Sequence, residues 1–343
     1  MIKLDTLTTG LRNGLGAIAL SAVCASGALA QDTVTLRFAS FVGPNSFLNT
    51  DIFRVWFDQL EAESNGKLTI EIMAGGSIAK PTEVFDTVMA GVVDMGWGIT
   101  AYNPGRFIAA GVPELPLLAT GSTESSAAIA ALYDQGLIDG MDDVQVIGIA
   151  TADIARLQSA DAITGLADLH GKKIRAAGSV LSSMIEEIGA TPVGIPAPSI
   201  AEALAKNVVD AAATDWFAVE SFSLMDVTTA HIDISLGTTS VYLVMNKAKY
   251  ESLPDDIKAV FEANPPSDFA AFWGPTLEAE SNRVRGVIAD NPDHTIITPT
   301  DAEMEIWNAA GATVTQAWVD NTPNGAAILA AYKEALTAFR ASN

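Results

Sequence analysis

DLHGKKIRAAG at residues 168–178, GATPVGIPAPS at 189–199 and NVVDAAATDW at 207–216 decide how this chain reads. The first segment is a turn and a short strand that ends near Arg175. A helix, a second short strand, another helix and a last strand then carry the chain to Trp216. Ile174 beside Arg175 is the pattern of a strand leaving a core at its carboxyl end, and in open α/β sheets ligands bind at such ends. A guanidinium placed there offers a rigid fork that matches a carboxylate through two parallel, charge-assisted hydrogen bonds. The plainer alternative is a surface arginine paired with Asp168 or a helix end.

Toward the N-terminus, Val34 to Ser40 alternates apolar and polar as a strand does. Pro44 and Asn45 break it, and Phe53, Trp56, Phe57 and Leu60 share one face of the helix that follows. Leu68, Ile70 and Ile72 alternate in the next strand. Thr82 is then placed to cap a helix carrying Val84, Phe85, Val88, Met89 and Val92 at helical spacing. This β-α-β-α order is that of a doubly wound sheet. Beyond it, Thr123 to Leu137 reads as an alanine-rich helix, Val144 to Ile149 and Val241 to Met245 as strands, and Ile257–Ala263, Phe272–Ala289 and Asp301–Trp318 as helices.

The chain has 343 residues, 49% hydrophobic and 17% charged. That is long enough for two lobes with their own cores and typical of a folded protein. Lys3 and Arg12, the apolar run Leu15 to Val23, and Ala28-Leu29-Ala30 before Gln31 predict a secretory signal over residues 1–30, hence a periplasmic protein cleaved near Ala30. Cys24, the one cysteine, lies inside that segment. The mature chain therefore has no disulfide, cysteine-based zinc site or cysteine nucleophile. Val23 makes the preceding residues a poor lipidation signal. No later stretch approaches the roughly 18 apolar residues of a membrane span.

The net charge is −22, and losing Lys3, Arg12 and Asp5 with the signal leaves −23. Such a surface repels phosphate backbones, so nucleic acid and anionic membranes are poor partners. GWGITAYNPGRF (96–107) imitates a dinucleotide fingerprint, but Asn103-Pro104-Gly105 breaks the helix that the pyrophosphate would need. GLADLHGK (165–172) has one residue too many between its glycines for a phosphate loop, and Lys173 where Ser or Thr belongs. Enzyme signals are equally thin. His170, His231 and His294 have no zinc-ligand spacing, no G-x-S-x-G elbow occurs, and abundant carboxylates alone make no glycosidase pair.

Taken in order, DLHGKKIR, GATPV, VVD and YLVMNKAKYESLPDDIK (242–258) resemble the solute-binding proteins of tripartite ATP-independent periplasmic (TRAP) transporters, dicarboxylate-binding-protein-like family, over most of the mature chain. The resemblance implies a two-lobed α/β periplasmic binding protein fold with hinge-crossing strands and C-terminal bracing helices. It divides the chain into residues 31–155, mainly lobe 1; 156–245, mainly lobe 2; and 246–343, the bracing helices. It also implies that Arg175 clamps a ligand carboxylate. Arg156 is the candidate for a second basic contact, although its surroundings depart from the commonest pattern. Thr214 stands where many members carry Asn, and Thr238 falls where a ligand-facing polar group is placed. The resemblance makes residues 96–107 a loop between strand and lobe edge, with Trp97 and Tyr102 able to wall a pocket. Phe41, Phe47, Trp97 and Trp216 would suit an aromatic or otherwise apolar-bodied carboxylate. Ala197, at a position often aromatic, would leave a shallow wall there. The expected function is capture of a small organic acid, without catalysis or cofactor, and delivery to the membrane subunits of a TRAP transporter. A secreted hydrolase acting on a small carboxylated substrate is the alternative.

Overall fold

The computed structural model describes residues 33–342, so the expected signal segment lies outside the described residues. Among the described residues, eleven strands form two mixed sheets. In chain order they are β1 Val34–Ala39, β2 Leu68–Met73, β3 Met95–Ile99, β4 Val144–Thr151, β5 Arg156–Ser159, β6 Lys173–Ala176, β7 Thr191–Gly194, β8 Ala211–Thr214, β9 Ala230–Ile232, β10 Ser240–Asn246 and β11 Thr295–Ile297. The first sheet runs β2-β1-β3-β10-β4 and the second β11-β9-β5-β8-β6-β7. In the first, β1, β2 and β3 are parallel and β10 lies antiparallel to both its neighbours. In the second, β6, β7 and β8 are parallel while β5 opposes β8 and β9.

The expected two-lobed architecture follows from where the chain changes sheet. Residues 152–155 join β4 to β5, and residues 233–239 join β9 to β10. These two crossing segments hydrogen-bond to one another, Ala152 N to Thr239 O at 2.9 Å and Leu236 N to Ala155 O at 3.0 Å. A third crossing is the helix Pro266–Asp290. At about 1.5 Å per residue it is roughly 37 Å long, and it packs on β4 in one lobe and on β11 in the other. Its approach to β4 is close: a side chain on Gly148 would begin 2.4 Å from the Phe269 ring. The helix Asp301–Asn321 packs on the second-lobe helix Ser179–Glu187, and Gly325–Ser342 on the first-lobe helix Ser122–Asp134. They thus brace both lobes, with a capping box at Thr300 and Glu303 and an Arg340–Glu124 ion pair at 2.6 Å.

Two local expectations change. Thr82 does not cap the helix Val84–Met89: Glu83 holds the N-cap position without a side-chain bond, and the Thr82 carbonyl accepts from Asn103. Gly96 and Gly98, read as lying in a loop, are inside β3. They are small because of packing. A Cβ at Gly96 would sit 2.6 Å from Val84, and one at Gly98 would sit 2.2 Å from the Tyr242 hydroxyl.

Candidate functional site

Both sheets direct carboxyl ends toward one cavity between the lobes, the placement expected of a ligand site. From the carboxyl ends of β1 and β3 and just past them come Phe41, Trp97, Ile99 and Tyr102; from those of β6 and β8 come Arg175, Thr214 and Asp215. The crossing segments add Asp153, Thr238 and Thr239. Space not filled by atoms, open solvent at the mouth included, amounts to about 750 Å³.

Arg175 sits on β6, where Ile174 turns to the core and the next residue must point to the other face. It is only 3% exposed. Its Nε donates to Ile195 O at 2.7 Å, Nη1 to Ala213 O at 2.9 Å, and Nη2 to the Tyr102 hydroxyl at 3.3 Å. Burial lowers its pKa from the ordinary arginine value, yet a guanidinium stays charged. Five N–H groups less these three leave one on each terminal nitrogen without an acceptor among the described residues. That is the end-on fork a carboxylate needs. Asp168 does not compete for it, since its carboxylate accepts from Thr164 N and Oγ1 at 2.7 and 2.9 Å.

Tyr102 completes this corner. Its oxygen accepts from both Arg175 and Ala197 N, the latter at 2.8 Å. Its own proton has no acceptor among the described residues and is available to the same carboxylate. The sequence offered Tyr102 only as a wall. Its link to Arg175 spans 73 positions, which no local pattern reveals.

The other expected residues divide. Phe41 and Trp97 stack at 4.2 Å and 23°, with Trp97 Nε1 fixed by Ser40 at 3.0 Å, and both line the cavity. Thr214 lines it too, and its hydroxyl has no partner among the described residues. Thr238 donates to Ala152 O at 2.7 Å, so its hydroxyl ties the crossing segments together and faces the cavity only as an acceptor. Ala197 is in the wall as expected.

Arg156 and Trp216 are not in that wall. Arg156 Nε pairs with Asp233 at 2.6 Å and Nη1 with Ile154 O at 2.8 Å. Arg285 shares the same aspartate at 2.8 Å, so this guanidinium is held against Asp233 and not in the cavity wall. Trp216 begins a helix whose N-cap is Asp215. That turn carries the ring into a separate apolar cluster with Ile200, Leu204 and Val284, against His231 at 5.4 Å. Phe47 packs on Phe217 at 6.1 Å and lines a neighbouring surface hollow instead.

Three carboxyl groups share the cavity with Arg175, and the sequence flagged none of them. Asp215 Oδ1 accepts from Ala218 N at 2.7 Å, and burial, then the neighbouring Asp153, pushes its pKa up to about 7. Asp153 accepts from Ser122 N at 3.1 Å and is raised by burial as well. Burial alone pushes Glu114 up to about 8. Among the described residues no group of three or more His, Cys, Asp or Glu is placed to hold a metal ion, and no helix is long and apolar enough to cross a membrane.

The family model for bacterial extracellular solute-binding proteins of family 7 (DctP) matches residues 38–321. A crystal structure of a TRAP solute-binding protein from a marine metagenome, specific for aromatic acid ligands and bound to 3-hydroxybenzoate, is 31% identical. It superposes with a TM-score of 0.84 over 89% of this chain and 98% of its own. A TRAP solute-binding protein from Rhodoferax ferrireducens, with copurified benzoate, is 29% identical at a TM-score of 0.84, over 90% and 99%. A Comamonas testosteroni protein described as an outer membrane transporter protein is 24% identical over 76% of this chain and 78% of its own.

Proposed function

The chain belongs to the bacterial extracellular solute-binding proteins of family 7, and on that premise we propose that it captures a flat, apolar-bodied carboxylate through Arg175 and hands it to the membrane subunits of a TRAP transporter. The family and its solved neighbours are receptors rather than enzymes, which leaves the hydrolase alternative without support. The observation that carries the reading is the Arg175 fork: one N–H on each terminal nitrogen, buried, at the meeting of both lobes. The stacked Phe41–Trp97 pair gives an apolar body a flat surface. Thr214 and Tyr102 supply further polar contacts, and Thr238 an acceptor. The ligands of the two similar structures, 3-hydroxybenzoate and benzoate, combine a carboxylate with such a body.

The test is calorimetric titration of the periplasmically expressed protein with benzoate, phenylacetate and their hydroxylated forms. Arg175→Lys keeps the charge and loses the fork, so it weakens every acid roughly ten- to hundredfold, the worth of one or two charge-assisted bonds. Unchanged affinity in Arg175→Lys would sink the clamp. Export with cleavage near Ala30 belongs to the same proposal, and the intact mass of the periplasmic protein checks it.

A further inference from the structure

We propose that Glu114 reads a hydroxyl group on the body of the ligand, so that the cavity prefers hydroxylated acids to their unsubstituted parents. The inference rests on the carboxylate-clamp reading above. Glu114 is 6% exposed; it lines the cavity with Arg175 and, on its other side, a hollow with Ala101 and Ser179, and no group among the described residues hydrogen-bonds its carboxyl. Asp153 and Asp215, the other two acids there, both have backbone partners. Glu114 is the one whose hydrogen-bonding capacity is unspent.

Its position is fixed. The preceding carbonyl, Pro113 O, accepts from Thr238 N at 2.9 Å, so the segment moves with a crossing strand. Gly237 passes so near that a Cβ there would lie 2.4 Å from the Glu114 carbonyl oxygen. On the other side a Cβ at Gly178 would come within 3.0 Å of Glu114 Oε2 and 2.8 Å of Ala101. Gly237 makes room for the Glu114 backbone and Gly178 for its carboxyl, and neither bonds that carboxyl.

A buried carboxyl without a partner is costly when ionised. With its pKa pushed up to about 8 by burial, it carries its proton at neutral pH. A protonated carboxyl offers one donor and one acceptor, the complement of an alcohol or phenol, which also donates and accepts. The neutral form has a second merit, since it adds no negative charge against an incoming carboxylate. An acid lacking the hydroxyl leaves the group unpaired, and sites built to bond a hydroxyl discriminate strongly against analogues without one.

The experiment titrates the wild-type chain, Glu114→Gln and Glu114→Leu with benzoate, the three monohydroxybenzoates and phenylalanine, with thermal melts as a folding control. The wild type binds at least one hydroxybenzoate about tenfold or more tighter than benzoate. Glu114→Gln, which keeps a donor and an acceptor, retains the preference. Glu114→Leu loses it, binding benzoate and the hydroxybenzoates alike. Equal binding of benzoate and all hydroxybenzoates by the wild type, or an unchanged preference in Glu114→Leu, overturns the role of Glu114 alone. So does tighter binding of phenylalanine, whose ammonium would require an ionised carboxylate. Failure of the wild type to bind any of these acids overturns the clamp as well.

Discussion

At the scale of single residues, the site depends on how completely each polar group is already used. Arg175 is committed on three sides and open on two, so it is both anchored and available. Tyr102 sets its angle. Tyr102→Phe removes the acceptor for Arg175 Nη2 and for Ala197 N, and also a donor to the ligand. Titration should show affinity falling about five- to twentyfold, the worth of one or two neutral bonds, with the apolar wall intact. The place of Arg175 on a strand that ends in the cavity wall was legible because a strand end beside an apolar partner is a local signal. Arg156 carries the same residue type but meets Asp233, 77 positions away, and a sequence does not show which arginine a distant acid has claimed. Trp216 misled for a related reason: past the Asp215 cap its ring packs with Ile200, Leu204 and Val284, distant partners that no local pattern names.

At the scale of elements, periodicity served well where strands and helices are long or strongly patterned. The strand at residues 34–39, the helix ending at Glu63 and the order strand-helix-strand-helix-strand from Lys173 to Thr214 all stand in the structure. The closing helix Gly325–Ser342 went unread, because its many alanines soften the contrast between its faces. Three-residue β11 was too short to register. The crossing segments are the least regular pieces and the most consequential. Gly237 has φ +83° and sits against the Glu114 backbone, so Gly237→Ala combines strain with a backbone clash. We expect it to destabilise the protein by about 1–3 kcal/mol in denaturant titration, and to weaken ligand through displaced Glu114 and Thr238. Gly148→Ala, pressing on Phe269, should cost similar stability with less effect on affinity per unit of stability lost.

At the scale of the whole molecule, buried ionisable groups make stability depend on pH. Glu114 and Asp215 hold their protons when folded up to about 8 and about 7, against ordinary values of 4.5 and 3.8. The folded state therefore binds more protons than the unfolded one across those windows, and stability falls as pH rises through them, by up to about 1.4 kcal/mol per pH unit for each group. His231 acts oppositely. Burial lowers it to about 4 from 6.5, so it removes stability as pH falls through that range. The contributions oppose one another below pH 6.5, and above it only the acids remain. Melting temperature should thus drop from pH 6.5 to 8, with Glu114→Gln flattening most of the slope; a slope unchanged in that variant would contradict the assignment. A last consequence lies in the long helix that crosses from β4 to β11. The apolar interior is continuous from Leu36 in one lobe to Ile174 in the other, and the helix is part of both walls. Neither lobe can melt while leaving the other its covering, so calorimetry should record one cooperative transition, and a ligand held at a single corner of the cleft raises the melting of the entire chain.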